Sequence, residues 1–298
     1  MVKKPDALLV GDLHIRDDTP QCRLDDFWQT QKRKMLWLKG LWESLDRPPV
    51  LQPGDVFHKW KSSPQVINAV LKWLPPMVTI PGNPGKHNYF TQEGFERDAL
   101  SVVASAERGW TILMNPCAIG FLGLFPSLWG TEPPSIPKGM SDSFLKILIT
   151  HRMIVQERKP FEGEYAGAFL RRMKGYNLIL TGHNHQSFVQ EQHGRLLVNP
   201  GSFTRQSTSE DHRPVVYLWY AEDNRIETVY VPIEEGVISK EHIDTPKERD
   251  ERIVAFVERL DTDLKVTIVF KDNMLAHMEA NEIRDMVKER LLEAIDES

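Results

Sequence analysis

The chain has 298 residues, 41 % hydrophobic and 27 % charged, ordinary globular usage that excludes disordered, collagenous and coiled-coil classes. Its two cysteines, Cys22 and Cys117, exclude a disulfide scaffold and a cysteine-only zinc site. The formal charge of −5 is unevenly placed: residues 247–298 hold 9 basic and 14 acidic residues, and the first 246 hold 28 of each. Such a body is no broad polycation, so nucleic acid would need a local basic patch or bound metal ions.

In chain order, the start MVKKPDALLV has an apolar run of only four residues before charges resume, and no signal peptide is read there. Ala7–Val10 is predicted to be a strand. Phe27–Leu45 is predicted to be a helix with an apolar stripe of Trp28, Met35, Leu36, Leu38 and Leu41. Val50–Leu51 reads as a strand, Val66–Leu74 as a helix ended by Pro75-Pro76, Met77–Ile80 as a strand and Phe95–Ala106 as a helix. Gly109–Thr131 carries no charge and is long enough to span a bilayer. Asn115, Pro116, Pro126 and several glycines mark it instead as two buried strands, Trp110–Met114 and Ala118–Phe125, joined by an Asn-Pro turn. A soluble, cytoplasmic protein is expected.

Strands follow at Leu145–Thr150, Leu178–Thr181, Leu196–Asn199, Val215–Tyr220 and Ile226–Val231. The pattern predicts an α/β sandwich, sheets packed together with helices outside. Residues 1–235 form the body, and the polar stretch 236–246 reads as a linker. Residues 247–298 read as helix, strand, helix (Lys247–Leu260, Lys265–Phe270, Glu279–Ala294), a small α/β appendage.

Five loops after five predicted strands carry metal-type ligands. They are Gly11-Asp12-Leu13-His14, Gly54-Asp55-Val56-Phe57-His58, Pro81-Gly82-Asn83-Pro84-Gly85-Lys86-His87-Asn88, Thr150-His151 and Thr181-Gly182-His183-Asn184-His185. Each alone is an ordinary turn or a structural histidine. As a set they place ligands at strand C-terminal ends, where open α/β sheets build sites. Six of the ten histidines fall in these loops. Carboxylates, an asparagine and imidazoles without thiolate suit Mn²⁺, Fe²⁺ or Zn²⁺. Seven ligands suit two ions sharing a bridge, the arrangement that stabilises attacking and leaving oxygens in displacement at phosphorus. Phosphoester hydrolysis is the chemistry implied.

The ordered set Asp-x-His, Gly-Asp, Gly-Asn, His, Gly-His-x-His resembles the calcineurin-like metallophosphoesterase superfamily. The resemblance implies a four-layer α/β/β/α sandwich. It implies that Asp12, His14, Asp55 and His185 hold one ion, with Asp55 bridging, and that Asn83, His151 and His183 complete the second. Within the superfamily, Gly54–His58, Asn199–Ser207 and the helix–strand–helix appendage resemble the nuclease subunit of the SbcCD-type double-strand-break repair complex. That likeness implies a DNA phosphodiesterase using Mn²⁺ (Mg²⁺, Fe²⁺ or Zn²⁺ being alternatives), a DNA-capping role for 247–298, Arg205 in substrate binding, an SbcC-like ATPase partner and a homodimer. The family's ATPase contact lies beyond the segment matching 247–298, so that partner would need another contact.

One departure stands out. The family reads Gly-Asn-His-Asp, whereas Pro84 follows Asn83 here and His87-Asn88 come after an inserted Pro-Gly-Lys. His87 and His58 are both candidates for the catalytic histidine beside the leaving group. Two local basic excesses offer a phosphate-tracking surface: Arg152, Arg158, Lys159, Arg171, Arg172 and Lys174, and Arg23, Lys32, Arg33, Lys34 and Lys39. Trp60, Tyr89 and Phe161 are candidates for stacking on bases. The alternative reading is a phosphatase or phosphodiesterase of nucleotides or small phosphoesters. A non-catalytic interaction module on the same fold is the third.

Overall fold

The structure, a computed structural model, describes residues 3–83, 92–141, 143–157, 163–208 and 213–239. The chain divides into two units, Met1–Lys240 and Glu241–Ser298. The second unit, with the expected appendage, lies outside the described residues, as do His87, Tyr89, Arg158, Lys159 and Phe161. Of the expected linker, Val237–Ser239 is tied to the body, since Leu24 donates its N–H to the Val237 carbonyl and Ser239 to that of Cys22, at 3.0 and 2.8 Å.

The first half runs β1 (Ala7–Leu9), α1 (Phe27–Ser44), β2 (Val50–Gln52), α2 (Pro64–Trp73), β3 (Val78–Thr79), α3 (Gln92–Glu96), α4 (Ala99–Ser105) and β4 (Thr111–Ile112). Next come β5 (Cys117–Ile119), β6 (Leu122–Ser127), β7 (Leu145–His151), β8 (Ile154–Val155), β9 (Glu164–Tyr165) and α5 (Ala166–Arg172). The body ends with β10 (Leu178–Gly182), β11 (Phe188–Gln192), β12 (Arg195–Asn199), β13 (Val215–Tyr220) and β14 (Arg225–Tyr230).

Two six-stranded sheets carry the fold, in the orders β14-β13-β1-β2-β3-β4 and β11-β12-β10-β7-β6-β5; β8 and β9 form a separate pair. β1 to β4 are parallel, as are β6, β7, β10 and β12. Period-2 alternation assigns each side chain to a layer. Ala7 and Leu9 of β1, Ile147 and Ile149 of β7, and Leu178 and Leu180 of β10 meet between the sheets. The intervening Leu8 packs outward with Met35 and Leu38 of α1 and Val66 and Val70 of α2. Leu148 and Ile179 pack outward on the other side, with Phe169 and Leu170 of α5. The layers are therefore helix, sheet, sheet, helix. Each fully buried Leu or Ile contributes about 1.5–3 kcal/mol, and a one-residue slip in any strand would exchange its two faces.

Three expectations need correction. The single helix Phe95–Ala106 is two helices, because Asp98 caps α4 by accepting from the Leu100 N–H at 2.8 Å. The strand Ala118–Phe125 is a hairpin, β5 paired antiparallel with β6 about Gly120, whose φ is +58°. β8, β9, α5 and β11 were not anticipated by the periodicity.

Candidate metal centre

The site lies where parallel strands of both sheets end. Asp12 follows β1 and is 1 % exposed; His151 closes β7 and is equally buried. Asp55 follows β2 through Pro53-Gly54, and His183 and His185 follow β10. His14, Asp55 and His183 have φ of +46°, +52° and +77°. Non-glycine residues avoid this region, so three candidate ligands sit on strained backbone.

Two groups of donors converge. Asp12, His14 and His185 each offer a ligand atom within 4.8 Å of the others, and so do Asp12, Asp55 and His151. His14 Nε2 and His185 Nε2 are 3.2 Å apart. Asp55 Oδ2 reaches both groups, 3.5 Å from His14 Nε2 and 3.2 Å from His151 Nε2. His185 Nε2 lies 3.7 Å from Asp12 Oδ2. Asp12 belongs to both groups, and Asp55 Oδ2 faces His14 as well as His151.

The donor set fits divalent ions. Asp12 Oδ1 is buried and makes no hydrogen bond, which is costly for a polar atom unless another partner completes it. The cradle is also built around atoms rather than side-chain bulk. A Cβ on Gly82 would lie 1.8 Å from Asp55 Oδ1, and one on Gly182 would lie 2.5 Å from Asp12 Oδ1. His151 Nδ1 is 2.8 Å from the Pro53 carbonyl. A proton donated there leaves Nε2 free as a ligand, the usual outer-shell arrangement.

Electrostatics divides the imidazoles. Burial pushes His14 and His183 down to about 4, so both imidazoles are neutral at pH 7, the form a divalent ion needs. Burial also opposes charge on His151, but the Asp55 and Asp12 carboxylates outweigh it and hold that imidazole at about 9, so an ion binding at Nε2 must displace a proton. Burial raises Asp12 to about 6; it acts the same way on Asp55, where His151 and His14 overcome it and keep the carboxylate well below its usual range.

The remaining candidates take various places. His183 belongs to neither tight group; its ring centroid is 5.3 Å from that of His151, and its N–H donates to Asp12 Oδ2 at 2.8 Å. Asn83 donates its backbone N–H to Asp55 Oδ1 at 2.8 Å. His58 is exposed, with its ring 5.7 Å from that of His14. Arg205 is buried and donates to the Glu234 carbonyl at 3.0 Å.

The basic excesses are largely engaged within the body. Arg172 pairs with Glu164 at 2.9 Å and Glu132 at 3.0 Å, and Arg152 approaches Glu164 at 3.6 Å. Arg23 pairs with Asp25 at 2.7 Å, Arg33 pairs with Glu234, and buried Lys34 donates to the Phe203 carbonyl at 3.3 Å.

Sequence reasoning missed the braces. Gln52 is fully buried at the end of β2; its amide donates to the carbonyls of Gly11 and Gly54 and accepts from the Gly54 N–H and Thr79 hydroxyl. It thereby locks the loops after β1 and β2 to β3. The Pro-Gly-Ser segment is a second brace. Asp12 donates to the Gly201 carbonyl, Phe203 to that of Asp12 and Ser202 to that of His185, at 3.0, 2.8 and 3.0 Å. A glutamine inside an otherwise apolar strand was the available signal for the first.

Two sheets with few helices, and a cluster of carboxylates and imidazoles at their strand ends, are consistent with a calcineurin-like metallophosphoesterase fold. Residues 140–223 match the calcineurin-like phosphoesterase superfamily domain. That span holds His151, His183 and His185; Asp12, His14, Asp55 and Asn83 precede it. No curated protein sequence matches the chain. Similar solved structures include TT1561 of Thermus thermophilus (11 % identity, 77 % of this chain and 100 % of that one, TM-score 0.47). A novel archaeal phosphodiesterase (15 %, 76 % and 99 %, 0.42) and Vacuolar Protein Sorting 29 from Cryptosporidium parvum (16 %, 78 % and 100 %, 0.36) are also similar.

Proposed function

We propose that this chain is a two-metal phosphodiesterase, with Asp12, His14, Asp55 and His185 around one divalent ion and Asp55, Asn83, His151 and His183 around the second. The observation that carries it is Asp55 Oδ2, which stands within 3.5 Å of His14 Nε2 and 3.2 Å of His151 Nε2 and so faces both ligand groups. Divalent ions there would polarise a phosphoryl group and bring the pKa of water towards neutrality. The chain supplies orientation: the Pro53 carbonyl fixes the His151 tautomer, and the two braces hold the loops in register. In this reading His58, exposed and with its ring 5.7 Å from that of His14, passes a proton to the leaving oxygen.

Support for DNA as substrate, Mn²⁺ as metal and an SbcC-like partner comes from the sequence motifs. A second reading, hydrolysis of nucleotides or small phosphoesters, is favoured by the ion pairs that occupy Arg152 and Arg172. The test is manganese-loaded protein on labelled linear duplex DNA, single-stranded DNA and bis(p-nitrophenyl) phosphate. Cleavage of DNA and of the small diester supports the nuclease. Turnover of the small diester alone replaces it with the second reading, and turnover of none, with no Mn²⁺ bound in calorimetry, removes both.

A further inference from the structure

The chain has eight tryptophans. Trp28, Trp37, Trp42, Trp73, Trp110 and Trp219 lie in or against the cores on either side of the first sheet. Trp60 and Trp129 pack into none of the three described cores, Trp60 lining the small cavity with Asp98 and Trp129 standing against His183. Trp129 is part-exposed at the exit of β6, with its ring centroid 4.4 Å from that of His183 and 6.0 Å from that of His151.

Its position is fixed by backbone. Thr131 donates both its N–H and its hydroxyl to the Leu128 carbonyl, at 3.0 and 2.8 Å. Gly130 takes a φ of +73°, as the third residue of a type II turn must. Arg152 and the Ser127 hydroxyl both donate to the Thr131 carbonyl, at 2.7 and 3.2 Å. The turn is therefore closed and anchored on both sides. The indole itself is part-exposed, so some of its ring meets solvent.

A tryptophan gains most stability from full burial. One held part-exposed on a braced turn, edge-on to a candidate metal ligand, sets a flat aromatic surface beside the place where a phosphoryl group would bind. Aromatic platforms of this kind stack nucleobases with little sequence preference. Resting on the phosphoesterase reading, we infer that Trp129 is a stacking platform for a planar ring carried by the substrate, so that the preferred phosphoesters are those of nucleotides or nucleic acid.

Adenosine 5′-monophosphate and ribose 5-phosphate differ only in the base. Calorimetry on the manganese-loaded protein should show the former binding about tenfold more tightly. Trp129→Ala should shrink that gap to within about twofold, and Trp129→Phe should keep most of it. Equal affinity of the wild type for the two ligands, or failure to bind either, overturns the inference. So does a gap that survives in Trp129→Ala. A variant that weakens both ligands equally assigns Trp129 to orienting His183 alone, which also overturns it. The hydrolase reading fails separately: a Trp129-dependent gap in a protein that cleaves no phosphoester leaves the stacking site standing without the enzyme.

Discussion

Asp55 and His151 meet at 3.2 Å, Oδ2 to Nε2, in a pocket where the histidine is 1 % exposed. The two residues come from different sheets, so their contact joins the halves of the site. Without that carboxylate, the buried, charge-prone His151 imidazole keeps the Asp12 carboxylate at 4.0 Å and the Pro53 carbonyl at 2.8 Å, both on the Nδ1 side. Asp55→Asn should therefore abolish tight binding of the second ion in calorimetry. Phosphodiester turnover should drop by more than the about 10–100-fold usual for outer-shell partners, since Asp55 faces both ligand groups. Retention of two tight sites with turnover within about tenfold of wild type would reject the shared-carboxylate arrangement.

Ions that bind the folded site and not the unfolded chain stabilise the fold by mass action. Manganese at about 100 times its dissociation constant should add roughly 2.7 kcal/mol, which raises Tm by about 4–5 °C for a chain of this size. Excess EDTA should reverse the shift, and differential scanning calorimetry measures both. Asp12 Oδ1, buried without a hydrogen bond, is an atom that such an ion would complete. An unchanged Tm with manganese bound to the folded protein would mean that the unfolded chain binds it as tightly, and would contradict a site that only folding assembles.

Asp98 gives a pH prediction independent of metal. Its carboxyl is buried beside the small cavity lined by Asp55, Trp60 and Gly82, and burial raises it to about 6 against the Leu100 N–H bond that lowers it. The folded state therefore holds this proton more tightly than the unfolded chain. Stability from this group is fully present below the unfolded value, near 4, and falls as pH rises towards 6. The cost above pH 6 is about 1–3 kcal/mol. Asn caps as well as Asp does, so Asp98→Asn should be more stable than wild type by that amount at pH 7.5 and nearly equal at pH 4. Urea unfolding at the two pH values decides it; a pH-independent difference would contradict the assignment.

Much of the architecture was legible because parallel, doubly buried strands advertise themselves. Ala7–Leu9, Leu145–His151 and Leu178–Gly182 are mostly apolar runs, the last two ending on a candidate ligand or a glycine, and their layer assignment follows from parity alone. The loops that bring Asp12, His14, Asp55, His151 and His185 together were legible for the same reason. Two-residue strands such as β8 and β9 have too few side chains to show a period. α5 escaped because its seven residues, AGAFLRR, make two turns with no side-chain N-cap. The brace through Gln52 depends on hydrogen bonds to residues distant in the chain, which spacing does not encode.

Glycines offer the sharpest contrast between site and scaffold. Gly82 approaches Asp55 so closely that an added Cβ would fall 1.8 Å from Oδ1 and 2.3 Å from the backbone nitrogen. Relief requires the Asp55 loop to move, which would carry the carboxylate away from His14 and His151. Gly40, inside α1, has nothing within 4 Å of an added Cβ. Gly40→Ala should stabilise the fold by roughly 0.5–1 kcal/mol through helix propensity and leave metal binding unchanged. Gly82→Ala should lose the second ion and most turnover, while its circular dichroism spectrum stays that of wild type. Calorimetric manganese titration of the two variants side by side separates them. Full manganese binding by Gly82→Ala would show that Asp55 is not held against its neighbours by that contact.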